Sequence, residues 1–221
     1  MSVAARPERV PKDVNTVTDA ESFAAASGAT PAQMAELERF RVLLTEWNEV
    51  MNLVGPSTLP SFWNRHAWDS AQLLKLDAAA RTWADLGAGA GLPGVVLAIL
   101  GKGRDGFHVH LVESVAKRCR FLAEVVAELS LPATIHNDRA ENLDLAVDSV
   151  TARACAPLSR LLGYARPYLA KGATGWFLKG QDVASEMEEA TKSWKFEAEI
   201  VPSLSDARGR IVRVRRLRRA R

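Results

Sequence analysis

The sequence predicts an α/β fold in which a mostly parallel sheet of seven strands, its last strand antiparallel, follows an N-terminal helical extension. Three observations support this prediction. From residue 82 onward short apolar strands alternate with helical segments, a glycine-rich turn joins the first strand to the first helix, and the last two strands have no helix between them. With 221 residues, 48% of them hydrophobic, the chain is long enough to bury one sizeable core.

The first 28 residues are predicted to form a flexible N-terminus. The first twenty residues contain no apolar segment and include the charged residues Arg6, Glu8, Arg9, Lys12 and Asp13, which excludes a secretory signal. No run of the chain reaches the length that crosses a membrane. The two cysteines are expected to be reduced thiols. These features predict a cytoplasmic protein that does not bind membranes.

Residues 29–80 are predicted to form the helical extension. Apolar residues recur at helical spacing over 31–51, and Thr30 is a suitable N-cap before Pro31 in the first turn. A glycine and a proline then interrupt the pattern, and 57–76 is predicted as a second helix. Both helices therefore precede the glycine-rich turn.

Residues 81–221 are predicted to form the sheet domain, which ends in a basic tail. The predicted strands are 82–86, 107–112, 133–137, 148–152, 174–178, 195–201 and 210–217, and the helices between them begin at 94 and span 114–129, 158–170 and 182–193. Right-handed crossovers between parallel strands place helices on both faces of such a sheet. A ligand is therefore expected at the carboxyl ends of the strands, and the last two strands are expected to form a hairpin.

The turn between the first strand and the first helix is predicted to hold a nucleotide cofactor. An acid, Asp85, precedes three glycines at alternate positions, Gly87, Gly89 and Gly91. Glycine adopts positive φ without strain and lets a ligand approach bare backbone. The free N–H groups at the start of the following helix would face whatever fills the turn.

The glycines alone leave two cofactors open. Residues 89–94 also satisfy the G-x-G-x-x-G pattern of dinucleotide-binding proteins, which would make the chain an NAD(P)-dependent oxidoreductase. The strand 107–112 is followed by Glu113, whose two oxygens can accept both hydroxyls of a ribose. NAD and S-adenosylmethionine both contain that ribose, so the acid does not distinguish them.

The charge of the chain is concentrated at its C-terminus. Residues 208–221 contain eight of the 29 basic residues and no acid, which leaves 21 basic against 26 acidic residues elsewhere. Such an arginine cluster indicates contact with a phosphate backbone. The alternative interpretation is a solvated chain end that only aids solubility. Because Val212 and Val214 alternate with Arg213 and Arg215, part of this tail is predicted to be an edge strand. A non-catalytic RNA-binding regulator remains a further alternative.

Several local sequences in a fixed order indicate a family. They are Met51-Asn52-Leu53, Asn64-Arg65-His66-Ala67-Trp68-Asp69-Ser70, the glycine-rich turn with Leu92-Pro93-Gly94, Lys117-Arg118-Cys119-Arg120-Phe121-Leu122, Arg139-Ala140-Glu141, Arg153-Ala154 and Leu178-Lys179-Gly180. In this combination the chain closely resembles the RsmG (GidB) family of bacterial 16S rRNA guanine-N7 methyltransferases. The resemblance covers the chain from about the first helix of the extension to the last strand.

The resemblance implies a class I S-adenosylmethionine-dependent methyltransferase with a Rossmann-like fold that acts on the small ribosomal subunit or its precursor. Gly87 and Leu92 match loop positions that touch the cofactor, Ala140 and Glu141 match the pair beside the adenine, and Arg153 matches the basic position after the fourth strand. With the residues argued above, the predicted cofactor-binding set is Asp85, Gly87, Gly89, Gly91, Leu92, Glu113, Ala140, Glu141 and Arg153.

Methyl transfer to guanine N7 requires alignment but no general base, because N7 has a free lone pair and no proton. Arg153 and Lys179, at the predicted ends of neighbouring strands, are the predicted catalytic cations, each able to bind the methionine carboxylate or an RNA phosphate. RNA contacts are predicted at Arg65, Arg139, Arg213 and Arg215. Since the predicted cofactor site is complete within one chain, a monomer is expected.

Two other groups of residues suggest different chemistry. Cys155 follows the fourth strand, where RNA cytosine-C5 methyltransferases place a nucleophile, but no proline precedes it, and a buried thiol is the preferred interpretation. His108 and His110 project to one face of a strand, but no third ligand is near in sequence. The sequence therefore predicts no metal site.

Overall fold

The computed structural model describes residues 17–220, and it contains one seven-stranded sheet. The strands are β1 (Thr82–Leu86), β2 (His108–Val112), β3 (Ala133–His136), β4 (Ser149–Arg153), β5 (Thr174–Lys179), β6 (Trp194–Pro202) and β7 (Arg210–Arg219). Their order is β3-β2-β1-β4-β5-β7-β6; β7 runs antiparallel to both β5 and β6, and the other neighbouring pairs are parallel. The predicted mostly parallel sheet is confirmed, and each predicted strand lies within two residues of its observed bounds.

Helices cover both faces of the sheet, as right-handed crossovers require. They are α1 (Ala20–Ser27), α2 (Pro31–Val50), α3 (Asp69–Leu76), α4 (Gly94–Gly101), α5 (Ala116–Glu128), α6 (Leu158–Ala170) and α7 (Val183–Ser193). Residues of α2 to α5 share one buried apolar cluster, and residues of α6 and α7 share the other with the opposite face of the sheet. The extension therefore packs on the α4 and α5 side.

Helix α1 corrects the interpretation of residues 1–28 as a flexible terminus. Asp19 caps this helix by accepting a hydrogen bond from the Ser22 backbone N–H at 2.9 Å. Phe23 is fully buried, and its ring lies 5.4 Å from the Trp63 ring and 6.3 Å from the Trp68 ring. The sequence did not predict this helix, because Phe23 has no large apolar partners at helical spacing. The tryptophans that bury it are distant in sequence and come close only in the folded chain. Residues 1–16 lie outside the described part of the chain.

The second predicted helix, 57–76, is three segments rather than one. A 3₁₀ helix spans Pro56–Ser61, a π-helix spans Trp63–Trp68, and α3 follows. Pro60 has no N–H to donate within a continuous α-helix, which favours the break. The wide π-turn buries His66 and the two residues after it against the core.

The hairpin of β6 and β7 confirms the predicted closing strand pair, but the predicted edge strand is wrong. The chain turns back after β6 and inserts β7 beside β5, so β6 forms the edge of the sheet. Two residues of β7 oppose one of β6 at a bulge, where Arg216 has φ +51°. The apolar alternation that suggested an edge instead serves a strand that is paired on both sides.

Candidate functional site

The predicted site lies where four parallel strands end together. Leu86 pairs with Val112, and Arg153 pairs with Leu178, so β1, β2, β4 and β5 finish at one edge of the sheet. The glycine-rich turn, Glu113, Arg153 and Lys179 leave the strands at this edge. The structure therefore brings together the residues that sequence reasoning placed at strand ends.

The turn after β1 has the backbone shape that its glycines suggested. Gly87, Gly89 and Gly91 have φ values of +72°, +48° and +76°. The N–H groups of Gly87 and the next residue donate to the Val112 carbonyl at 2.8 and 3.0 Å, which ties the turn to β2. A Cβ on Gly91 would lie 2.5 Å from a methyl carbon of Val95. Two effects therefore disfavour a side chain at Gly91: the strain of its positive φ and the collision with Val95.

Asp85 is fully buried beneath this turn. Its Oδ2 accepts a hydrogen bond from the Gly94 N–H at 2.8 Å, at the start of α4. Its Oδ1 is buried and has no hydrogen-bond partner among the described residues. Burial raises the pKa of Asp85 to about 7, because removal from water disfavours the charged carboxylate. One oxygen of this carboxyl group is therefore not satisfied by the described protein groups.

Glu113 supports the turn from the end of β2 and is nearly buried, at 3% exposure. Its Oε2 accepts from the Gly89 N–H at 3.0 Å, and its Oε1 accepts from the Val115 N–H at 2.8 Å. Arg118 lies 3.8 Å from the same carboxylate. A carboxylate has about four acceptor positions, so each oxygen can accept one further hydroxyl. The sequence did not predict that Glu113 binds the glycine-rich turn, since this contact depends on the proximity of the loops after β1 and β2.

The residues predicted beside the adenine lie in a 3₁₀ helix, Ala140–Asn142. Ala140 is buried, and its carbonyl accepts a hydrogen bond from Tyr168 Oη at 3.0 Å. Glu141 pairs with Arg139, Nε to Oε1 at 3.1 Å, and the Arg139 side chain is 67% exposed. Arg139 therefore remains open to solvent on one side, whereas Ala140 is held by α6.

Arg153 is partly buried, and its guanidinium is bound by the extension. Nη1 donates to the Arg65 carbonyl at 2.8 Å and lies 3.3 Å from Asp69 Oδ2. Nη2 lies 3.1 Å from His66 Nδ1. Asp69 also accepts a hydrogen bond from Ser205, which lies in the connection between β6 and β7. The extension thus binds Arg153 through the Arg65 carbonyl and the side chains of His66 and Asp69.

Lys179 is also paired in the structure. Its Nζ donates to the Ala156 carbonyl at 2.9 Å and lies 2.6 Å from a carboxylate oxygen of Glu186 in α7. The same Glu186 oxygen accepts the Leu158 N–H at 2.6 Å, at the start of α6. The sequence did not predict the pairing with Glu186. Lys179 ends a strand and Glu186 lies in the following helix, so no shared periodicity relates the two residues.

The arginines of the tail differ in their surroundings. Arg213 lies over the Trp176 ring, 5.1 Å from its centroid, and pairs with Glu199 at 3.1 Å. Arg215 is exposed. Because β7 is antiparallel, Arg210 lies beside the end of β5, and Arg215 follows five residues further, about 17 Å toward the opposite edge. The predicted RNA contacts at Arg213 and Arg215 therefore lie away from the glycine-rich turn. Arg65, by contrast, is exposed on the extension beside this turn.

The two cysteines are free thiols. Cys155 packs against the glycine-rich turn, since a Cβ on Gly87 would lie 2.7 Å from its Sγ. Partial removal of the thiol from water and the negative charge of Asp85 raise the pKa of Cys155, which disfavours the thiolate that a nucleophile requires. Cys155 is thus part of the packing of the site, although it is more exposed than the buried thiol that was predicted.

A third histidine joins the pair that the sequence showed on β2. His136 Nε2 on β3 lies 2.9 Å from His110 Nδ1, and the His108 and His110 rings lie 5.0 Å apart. Burial and the neighbouring histidines lower the pKa of His110 to about 4. Among residues 17–220 no three metal-ligating side chains are arranged to hold a metal ion. Over the same residues, no helix is long and apolar enough to span a membrane.

The model of one protein family, GidB, described as rRNA small subunit methyltransferase G, matches residues 33–212. The chain belongs to this family. Two relatives with the same description are 68% identical over 203 residues, in Caulobacter sp. strain K31, and 64% identical over 205 residues, in Caulobacter vibrioides strain NA1000. The alignments cover 92% and 93% of this chain and 92% and 95% of the relatives. The predicted family is confirmed.

Solved structures show the same fold at low identity. The crystal structure of MtNAS in complex with MTA and tNA has a TM-score of 0.56 at 16% identity and covers 90% of this chain and 82% of its own. A SAM-dependent methyltransferase from Aquifex aeolicus has a TM-score of 0.53 at 16% identity over 76% of this chain and 96% of its own. The predicted Rossmann-like methyltransferase fold is confirmed.

Family membership decides between the two cofactors that the glycine pattern left open. The GidB family consists of S-adenosylmethionine-dependent enzymes, so the oxidoreductase and the non-catalytic regulator are both set aside. The structure gives the residues that this donor needs: a glycine cradle, a buried carboxyl with a free oxygen, and an acid at the end of β2. The site fits the cofactor.

Proposed function

We propose that this GidB family member transfers a methyl group from S-adenosylmethionine to N7 of one guanine in 16S rRNA, and that Arg153 and Lys179 orient the reactants. Family membership supports the reaction, and the unpaired buried Oδ1 of Asp85 beneath the glycine turn is the observation that best supports the site. The donor supplies an electrophilic methyl group on a sulfonium. The protein must then align the reactants and stabilise the charge that develops on the guanine.

We assign the cofactor contacts to the backbone and acids of the turn. Gly87, Gly89 and Gly91 leave bare backbone at the ends of β1 and β2, and Glu113 can accept ribose hydroxyls while it keeps its two loop hydrogen bonds. Asp85 offers its remaining oxygen to a polar N–H or O–H group of the donor. Leu92, Ala140 and Glu141 complete the proposed set.

The absence of a requirement for a base agrees with the state of the polar groups at this edge. Arg153 and Lys179 are cations that already bind protein acceptors, and Asp85 is fully buried beneath the turn, where it accepts the Gly94 N–H. Guanine N7 attacks with its own lone pair, so none of these groups must remove a proton. Each cation can instead hold an anionic oxygen of the donor or of RNA and orient it.

We further propose that the substrate is the small ribosomal subunit or its precursor in the cytoplasm and that the enzyme acts as a monomer without metal. In this assignment the methyltransferase domain, 81–221, binds the donor, and the extension, 29–80, presents Arg65 to the RNA beside it. The exposed side of Arg139 supports its proposed contact with a phosphate.

Labelled donor distinguishes this function from its alternatives. The protein is incubated with methyl-labelled S-adenosylmethionine and small subunits from cells that lack the modification, and the labelled nucleotide is then mapped. We expect one labelled 7-methylguanosine in 16S rRNA and no label on subunits from wild-type cells, which are already methylated. Label on cytosine C5, or no transfer to subunits, precursors or naked RNA, contradicts the proposal.

The arginine tail leads to a prediction about salt. Each lysine or arginine that neutralises a phosphate adds about one unit to the slope of log affinity against log salt. We therefore expect Arg215→Ala to reduce this slope by about one and leave the melting temperature unchanged. Arg213→Ala should instead lower the melting temperature, since Arg213 covers Trp176 and pairs with Glu199. RNA binding titrated at several salt concentrations measures the slope, and an unchanged slope in Arg215→Ala refutes the contact.

A further inference from the structure

His66 belongs to the extension and contacts Arg153 of the proposed site, but it is part of neither the glycine-rich turn nor the exposed RNA surface. Its ring is buried, at 5% exposure, in the π-helical turn. Nδ1 lies 3.1 Å from Arg153 Nη2, and Nε2 lies 2.9 Å from Thr58 Oγ1. Both ring nitrogens therefore have partners, on opposite sides of the ring.

The partners determine which nitrogen of His66 holds the proton. A guanidinium only donates hydrogen bonds, so Nδ1 must be the acceptor for Arg153 and the proton must lie on Nε2. Nε2–H then donates to Thr58 Oγ1, whose hydroxyl donates to the Gly55 carbonyl at 2.7 Å. The direction of every hydrogen bond follows from Arg153 at one end and a carbonyl at the other.

The surroundings keep this imidazole neutral. Burial and the positive charges of Arg153 and Arg65 lower the pKa of His66 to about 3. At the pH of the cell the ring is therefore an acceptor for Arg153 at all times. A charged imidazolium would lose this acceptor and repel the guanidinium.

His66 is the acceptor that fixes the second nitrogen of the Arg153 fork. The other contacts from the extension, the Arg65 carbonyl and Asp69, both bind Nη1. Without an acceptor for Nη2 the guanidinium plane can rotate about its contacts with those two groups. Both oxygens of Asp69 face other donors: Oδ2 lies 3.3 Å from Nη1, and Oδ1 accepts from Ser205 at 2.6 Å and from Gln72 at 3.2 Å.

We propose that His66 is a positioning residue for methyl transfer, which holds the Arg153 guanidinium in the plane that serves the donor or the RNA. This inference rests on the proposed function, because it requires that Arg153 acts at the carboxyl edge of the sheet. It assigns to the extension a part in the chemistry beyond RNA contact.

Two amide substitutions separate the two sides of the ring. In His66→Asn the amide oxygen occupies the place of Nδ1 and can accept from Arg153, whereas in His66→Gln the amide reaches the place of Nε2 and contacts only Thr58. We expect His66→Gln to lower kcat/KM by about 10- to 100-fold, the usual cost of misplacing a reacting group. His66→Asn should recover most of that loss. Thermal melting of both variants checks that each loses a similar amount of stability.

A double-mutant cycle with Arg153→Lys completes the test. Lysine keeps the charge but has no planar fork, so His66→Gln should have little further effect on kcat/KM in that background. Equal losses in the Asn and Gln variants, or additive effects with Arg153→Lys, overturn the positioning role while wild-type methylation upholds the proposed function. A wild-type enzyme that does not methylate small subunits overturns both.

Discussion

We expect the Asp85→Asn variant to be more stable than the wild-type chain at pH 8 and to bind S-adenosylmethionine at least about tenfold more weakly. The pKa of Asp85 is raised from 3.8 to about 7 by burial, so the folded state holds a proton that the unfolded chain has released. Wild-type stability therefore falls as pH rises from about 4 to 7 and stays low above that range.

The asparagine variant does not ionise, so it avoids this loss. The advantage is absent below about pH 4 and reaches at most about 4 kcal/mol above pH 7, since each pKa unit corresponds to about 1.4 kcal/mol. Urea unfolding at several pH values measures the advantage, and titration calorimetry measures donor binding. A variant that gains no stability at pH 8 shows that the Asp85 carboxyl is not destabilised by burial.

Asp148 provides a control with the opposite sign. Backbone N–H groups of Arg81 and Thr82 donate to its carboxylate at 2.8 and 2.9 Å, and these bonds contribute to a lowered pKa. Its contribution to stability is present above the pKa of the unfolded chain and is lost as pH falls through the lowered folded value. Asp148→Asn should therefore reduce stability at neutral pH, where Asp85→Asn increases it.

Replacement of Gly87 by alanine should abolish methyl transfer and reduce the free energy of unfolding by about 2–5 kcal/mol. The new Cβ would lie 2.7 Å from Cys155 Sγ, and Gly87 has φ +72°, where a side chain is strained. Either the turn or the residues after β4 must move, and both border the proposed donor site. Chemical denaturation and single-turnover methylation measure the two effects.

Gly28 offers a matched control for the strain alone. It also has φ +72°, but nothing lies within 4 Å of a Cβ built there. Gly28→Ala should therefore cost only about 1–2 kcal/mol and keep full activity. Addition of Cys155→Ala to Gly87→Ala should restore part of the stability, because it removes the closest atom and leaves a Cβ at 3.3 Å. Equal losses at the two glycines would show that Cys155 does not restrict the turn.

Patterns local in sequence were sufficient for most of the fold. The β-strands and the helices α2 and α4 to α7 follow from apolar periodicity, and the glycine turn follows from the conformations that only glycine adopts without strain. Helix α1 was missed, because its stability depends on the burial of Phe23 against two distant tryptophans. The insertion of β7 beside β5 was also missed, since alternation does not say which strand a hairpin pairs with.

The sequence by itself determined the family and the donor, and it placed two acids and three glycines at the ends of β1 and β2, because apolar periodicity reveals where those strands end. Only the tertiary structure decided what those residues contact. In the folded chain Asp85 is buried with one oxygen unpaired, and Glu113 accepts a hydrogen bond from the glycine-rich turn. Arg153 contacts His66, which is 87 residues away in the sequence. Protonation and orientation depend on neighbours in space, which periodicity along the chain does not specify.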